Sequence, residues 1–207
     1  YGSKRRTSIE NAEEAVYEEK KMEETEVCFL MDRFGYMKLI DKNAYERNKE
    51  AVHNENKYVF NCMNTDKICI FTDTGKMHTI KAVDIPLGRF RDKGTPVDNL
   101  SNYDSSQERM LYVAPVGQLR SDRLLFVTKT SMCKLVEGAE FDVAKRTIAS
   151  TKLADEDELI FIGSASEMEQ IVLQSHGGCF LRFLAQEVST MKKTALGVRG
   201  MKLADDD

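Results

Sequence analysis

Long apolar runs are absent from this 207-residue chain: no stretch approaches the roughly 18 to 20 uncharged apolar residues of a membrane span, and no basic-then-apolar start resembles a signal peptide. It therefore reads as cytoplasmic. Histidine is scarce, and His53, His78 and His176 stand far apart without ligand spacing, so no metal is expected. Five cysteines, Cys28, Cys62, Cys69, Cys133 and Cys179, form no CxxC pair and are odd in number. Most lie in apolar runs such as Val27-Cys28-Phe29-Leu30, which implies reduced, buried thiols. Walker-type glycine loops and G-x-S-x-G elbows are missing too, and no histidine has triad partners in local sequence. These absences leave little room for catalysis within the chain.

With 42% hydrophobic residues, the sequence is ordinary enough to be globular. It begins at Tyr1 rather than Met and closes on Asp205, Asp206 and Asp207, and is expected to be a segment of a longer protein. The net charge of −4 argues at first against nucleic acid, since a phosphate-binding surface needs lysine and arginine. Its distribution alters that reading. Residues 1–26 hold five basic and eight acidic groups, whereas residues 27–204 carry 25 basic against 23 acidic. A small basic excess permits a nucleic-acid surface if the charges segregate onto one face.

Residues 8–26 are dense in Glu and Lys and lack Gly and Pro, so residues 1–26 are expected to form a linker, tail or short helix, with the domain spanning 27–207. Beyond Glu26 the chain turns to short runs of Val, Ile, Phe and Leu separated by turn residues, a β signal with almost nothing helical after about residue 50. One unit recurs four times, starting near residues 27, 68, 124 and 171. Its first half is an apolar strand, a polar turn ending in a small residue, and a second strand of mixed polarity. The small residue is Gly35, Gly75, Ser131 or Gly178, at intervals of 40, 56 and 47 residues, which suits four-stranded blades. Glycine belongs there because a tight hairpin turn demands a positive φ, and Ser131 is the weakest copy. The second half is expected to be another strand pair, most legible as residues 147–153, an acidic turn Asp155-Glu156-Asp157, and residues 158–162. That turn lacks the glycine and distal glutamate of a calcium loop and reads as a solvated turn. The fold class is all-β, a radial repeat of about four blades.

Several strings then resemble the C-terminal domain of the A subunits of gyrase and topoisomerase IV, the bacterial type IIA DNA topoisomerases. Asp32-Arg33-Phe34-Gly35-Tyr36-Met37-Lys38 is similar to the family's T-R-x-G-Y-x-K, with Asp32 departing from the usual pattern nearby. Phe71-Thr72-Asp73-Thr74-Gly75-Lys76, Ile85-Pro86 and Gly94-Thr95-Pro96-Val97-Asp98-Asn99-Leu100 are similar to F-T-x-x-G-K, I-P and G-x-P-x-x-N-L. Gly197-Val198-Arg199-Gly200-Met201-Lys202-Leu203 is close to G-V-R-G-x-K-L, and Tyr1-Gly2-Ser3-Lys4-Arg5-Arg6-Thr7 looks like the end of the preceding breakage-reunion region. The resemblance implies a β-pinwheel with strands exchanged between blades, binding duplex DNA along a basic outer rim. It implies no catalysis in this segment. The parent enzyme would be an ATP-hydrolysing isomerase in the bacterial nucleoid, using ATP and Mg2+ elsewhere, and its partners would be the remaining A-subunit domains together with an ATPase B subunit. The family's nucleophilic tyrosine follows an arginine, and none of Tyr1, Tyr17, Tyr36, Tyr45, Tyr58, Tyr103 and Tyr112 does so; Tyr36 and Tyr58 are expected to pack blades.

Gyrase A subunits usually carry a Q-R-R-G-G-K-G box linked to DNA wrapping. The corresponding stretch here, Tyr45-Glu46-Arg47-Asn48-Lys49-Glu50-Ala51, has no glycine and two glutamates, so topoisomerase IV is the better likeness. The alternatives are a gyrase domain without a standard box, or a propeller-like protein scaffold suggested by the sequence pI of 5.6. The expected DNA-binding cations are Lys38, Lys42, Arg47 and Lys49 in the first unit, and Lys76, Lys81, Arg89, Arg91 and Lys93 in the second. Lys134, Lys145 and Arg146 follow in the third, then Arg182, Lys192, Lys193, Arg199 and Lys202 in the fourth. Their role would be sequence-independent phosphate neutralisation, with Arg89 to Lys93 the leading cluster.

Overall fold

The computed structural model describes residues 23–204; most of the expected linker, the Tyr1–Thr7 string and the terminal aspartates lie outside the described residues. Four antiparallel hairpins carry the repeat: β1 (Glu26–Met31) with β2 (Tyr36–Asp41), β4 (Lys67–Thr72) with β5 (Lys76–Lys81), β8 (Arg123–Thr128) with β9 (Met132–Glu137), and β12 (Gln170–Gln174) with β13 (Phe180–Leu184). The turn residues behave as the repeat requires. Gly35, Gly75 and Gly178 have φ of +81°, +74° and +84°, and Ser131 adopts +65° despite its Cβ.

Three hairpins become four-stranded sheets by gaining a strand on each edge. On one edge, β3 (Tyr58–Met63) joins β1, β7 (Met110–Pro115) joins β4, and β11 (Leu159–Ser164) joins β8. On the other edge the partner comes from the following unit: β6 (Thr95–Pro96) joins β2, β10 (Thr147–Ala149) joins β5, and β14 (Val198–Arg199) joins β9. Strands are thus exchanged between blades, giving an all-β pinwheel. Both β3 and β11 contact β7, so these three strands line the inner side and the exchanged strands lie outermost. The expected pairing of residues 147–153 with 158–162 does not occur: β10 pairs with β5 and β11 with β8, in different sheets. The fourth sheet has two strands among the described residues.

Alternation along each hairpin produces two apolar faces, and one face packs on the next blade. Phe29, Met31, Met37 and Leu39 meet Ile68, Ile70 and Ile80. Cys69, Phe71 and Met77 meet Leu124, Phe126 and Val136, while Leu125, Val127, Cys133 and Leu135 meet Ile171 and Phe183. Each such buried side chain contributes about 1.5 to 3 kcal/mol of transfer free energy, and each blade interface forms its own apolar cluster. The first blade has no preceding neighbour among the described residues, and two short helices cover its other face. Helices α1 (Lys42–Arg47) and α2 (Lys49–Glu55) place Ala44 and Val52 against Cys28, Leu30 and Ile40. Asp41 starts α1 by accepting the Ala44 N–H at 2.8 Å. Helix therefore continues past residue 50, and single turns follow at Val97–Leu100 (α3) and Val116–Leu119 (α4). Cys28, Cys62, Cys69 and Cys133 are buried thiols, and Cys179 is exposed.

Candidate nucleic-acid interface

The segments that deliver the three exchanged strands lie at the outer edge of their blades, and each carries two or three cations. Arg89, Arg91 and Lys93 precede β6, Lys145 and Arg146 precede β10, and Lys192 and Lys193 precede β14. All are exposed except the half-buried Lys193. The same topological position thus presents positive charge in three successive blades.

Local contacts shape each loop. Asp92 accepts the Arg89 N–H at 2.7 Å, closing the turn, and the Lys93 ammonium lies 4.4 Å from the centre of the Tyr36 ring. Arg47, held on α1 with its Nε donating to Asn43 O at 3.1 Å, shares a shallow cleft with Arg89 and Arg91. The stretch at the place of the gyrase box is therefore helical, and it joins the first cation cluster. Asp41 and Asp92 line the same cleft and temper its charge. A second groove gathers Lys145 and Lys193 with Lys152, whose backbone N–H donates to Lys193 O at 3.1 Å. Lys152 is not among the cations expected from the sequence, where it falls in residues 147–153, read there as a strand of the second half-unit; β10 ends at Ala149, before it.

The other expected cations are scattered. Lys42 pairs with Glu26 at 3.0 Å on the surface, where the ion pair is worth little. Lys49, Lys76, Lys81, Arg182, Arg199 and Lys202 are exposed. Lys192 pairs with Glu140 at 3.2 Å. Burial opposes ionisation of Glu140, but the Lys193 backbone N–H and the Lys192 ammonium prevail and hold its carboxyl below the usual range.

Two lysines face inward, against the expectation that they line the rim. Lys134 is 1% exposed, and its ammonium donates to the carbonyls of Lys192, Lys193 and Ala195 at 3.4, 3.0 and 2.6 Å. Burial pushes it down to about 8, with Glu140 opposing. Half-buried Lys38 likewise donates to Phe90 O and, at 2.5 Å, to Asp92 O. The Lys134 ammonium is shut off from a phosphate, and Lys38 has two of its three donors engaged. In the second blade the equivalent residue is His78, buried between Thr147 Oγ1 at 3.0 Å and Glu108 Oε1 at 2.8 Å.

An apolar cavity of about 330 Å3 lies between the third and fourth blades, along the edge of β12 where the other sheets hold β3, β7 or β11. Its lining offers one titratable side chain, Lys129. The acidic turn serves its own blade: Asp157 accepts the Thr130 N–H at 3.1 Å and the Thr130 hydroxyl at 2.6 Å.

A family model described as the DNA gyrase C-terminal domain, beta-propeller, matches residues 66–105, 122–166 and 169–207, more than half of the chain. Each matched segment contains one hairpin and the strand it sends to the preceding blade; the unmatched first unit has α1 and α2 at that place. The chain is 28% identical over 211 residues to the DNA gyrase A subunit of Clostridium acetobutylicum, covering 97% of this chain and 25% of that protein. Against the DNA gyrase A subunit of Salmonella typhimurium it is 28% identical over 219 residues, covering 100% and 25%. It thus spans about a quarter of the length of these relatives. Among solved structures, the C-terminal domain of DNA topoisomerase IV superposes with a TM-score of 0.77 at 21% identity, over 88% of this chain and 59% of that one. The DNA gyrase A C-terminal domain gives 0.53 at 18% identity, over 87% and 62%. These likenesses establish the fold, and the family match establishes membership: the chain belongs to the DNA gyrase C-terminal domain family.

Proposed function

We propose that this domain binds duplex DNA on its outer edge through phosphate contacts and performs no chemistry of its own. One observation carries the reading: cations stand shortly before the exchanged strand in three successive blades, where a bent duplex would meet each group in turn. Arg47, Arg89, Arg91 and Lys93 form the first contact, Lys145, Arg146 and Lys152 the second, and Lys192 and Lys193 the third. Lys42, Lys49, Lys76, Lys81, Arg182, Arg199 and Lys202 supply more diffuse attraction. Phosphate contacts give no sequence preference, and their strength falls steeply with salt. Backbone contact suits a surface that curves DNA.

In the parent enzyme the domain would direct duplexes to an ATP-dependent type IIA topoisomerase, working with the remaining A-subunit domains together with an ATPase B subunit, while ATP and Mg2+ act elsewhere. The helical pair α1–α2 at the place of the glycine-rich box favours a topoisomerase IV-like role in relaxation and decatenation. The 28% identity to gyrase A subunits supports the second reading, a gyrase domain that binds DNA without strong wrapping. Anisotropy titration of a labelled duplex at low and moderate salt tests the proposal. Tight binding at low salt that weakens steeply is expected, and no binding at low salt by folded protein would leave a protein-interaction scaffold as the better reading.

A further inference from the structure

The two inward lysines occupy one position of the repeat, three residues after the hairpin turn residue: Lys38 follows Gly35 and Lys134 follows Ser131. Each faces a nine-residue loop of the next unit, residues 86–94 or 189–197. The loops enter alike, with Leu39 N donating to Pro86 O and Leu135 N to Ser189 O, both at 3.0 Å. They turn alike, with Gly88 N donating to Leu39 O at 2.9 Å and Met191 N to Leu135 O at 2.7 Å. In this register Phe90 corresponds to Lys193 and Asp92 to Ala195. Those are the residues whose carbonyls the two ammonium groups share: Phe90 and Asp92 for Lys38, Lys193 and Ala195 for Lys134.

The second blade supplies the contrast. Its residue at this position is His78, and the nine-residue loop is replaced by the short segment that ends in Lys145 and Arg146, since Thr79 N donates to Arg146 O at 2.8 Å and β10 begins at the next residue. A lysine at this position accompanies a loop whose carbonyls point inward, and a histidine accompanies a direct entry. Carbonyls aimed into a loop need a donor, and an ammonium on a flexible stem offers three N–H groups.

We propose that Lys38 and Lys134 are positioning residues: each ammonium is the centre around which a cation-bearing loop winds, fixing how Arg89, Arg91 and Lys93, or Lys192 and Lys193, are presented to a phosphate backbone. The presentation rests on the DNA reading above, whereas the winding stands on geometry alone. Two measurements separate them. Hydrogen exchange of the 207-residue chain reads the winding without DNA. In Lys38→Met, amides of residues 88–95 exchange about tenfold faster or more, because charge-assisted hydrogen bonds are lost, while residues 189–199 are unaffected. Lys134→Met shows the converse, and Lys38→Arg, which keeps donors, restores protection in the first loop. Duplex affinity, measured alongside, weakens several-fold in both methionine variants. Unchanged loop exchange in a folded Lys38→Met would overturn the proposal, and weaker DNA binding with unchanged exchange would assign the lysine to direct phosphate contact instead. If Lys134→Met fails to fold, the half-buried Lys38 decides. Should the unsubstituted chain bind no duplex, the DNA reading fails and the exchange data still test the winding.

Discussion

Substituting Gly94 by alanine tests strand exchange at a single atom. Gly94 lies immediately before β6 with φ of +83°, and a Cβ there would stand 2.6 Å from Met37 O and 3.0 Å from Met37 C, both backbone atoms of the strand that β6 joins. Neither atom can yield without displacing β2. Gly178 in the fourth hairpin is a matched control, since its φ is +84° but no atom lies within 4 Å of the added Cβ. Conformational strain costs about 1 to 2 kcal/mol in both variants. Gly94→Ala must in addition part β6 from β2, losing the Tyr36–Pro96 and Met37–Thr95 pairings and exposing Val97, at about 1 kcal/mol or more for each feature lost. Urea unfolding followed by circular dichroism should therefore place Gly94→Ala at least about 2 kcal/mol below Gly178→Ala. Gly197→Ala, with its Cβ 2.9 Å from Cys133 O, should resemble Gly94→Ala. Equal losses for Gly94→Ala and Gly178→Ala would refute the close approach of exchanged strand and hairpin.

At Ser131 two effects oppose one another: its positive φ favours glycine, but its hydroxyl accepts the Met201 N–H at 2.8 Å. Ser131→Gly should thus be nearly neutral and Ser131→Ala should lose about 1 kcal/mol in denaturant melts, because alanine keeps the strain and drops the bond. Burial opposes ionisation of the Glu108 carboxyl, yet hydrogen bonds from Thr72 and the neighbouring His78 prevail and hold its pKa below the ordinary 4.5. A lowered folded pKa means stability that is present above pH 4.5 and lost as pH falls through the folded value, so Glu108→Gln should flatten the acid limb of a melting-temperature profile. Lys134 has the opposite charge and also a lowered pKa, about 8 against 10.5. Between those values the unfolded chain binds a proton that the native chain does not, so stability rises with pH across that window, by at most about 3 kcal/mol, and Lys134→Met should lack the rise.

The hairpins are legible in the sequence because their signal is local. Alternating apolar residues and a small residue at positions 35, 75, 131 and 178 determine each strand, turn and face, and all four turn residues adopt positive φ. Exchange between blades is not local: β10 and β11 are neighbours in sequence, and nothing in their alternation states that their partners are β5 and β8. The helices over the first blade are obscured when residues 45–51 are aligned with the glycine-rich box. Asp41 as a helix cap and Ala44 with Val52 on one side are the signals that point to them. Lys134 is expected on the rim because lysine is ordinarily solvated, whereas its strand, Cys133-Lys134-Leu135-Val136, is buried on both faces. Lys152 carries no such signal, because only folding brings it beside Lys145 and Lys193.

The salt dependence of duplex binding, before and after charge reversal of the first cationic loop, tests the central claim most directly. Arg89→Glu, Arg91→Glu and Lys93→Glu combined should weaken binding and reduce the slope of log affinity against log salt by about one for each phosphate contact removed. Unchanged affinity and slope in the folded triple variant would contradict a DNA-binding edge built on these loops.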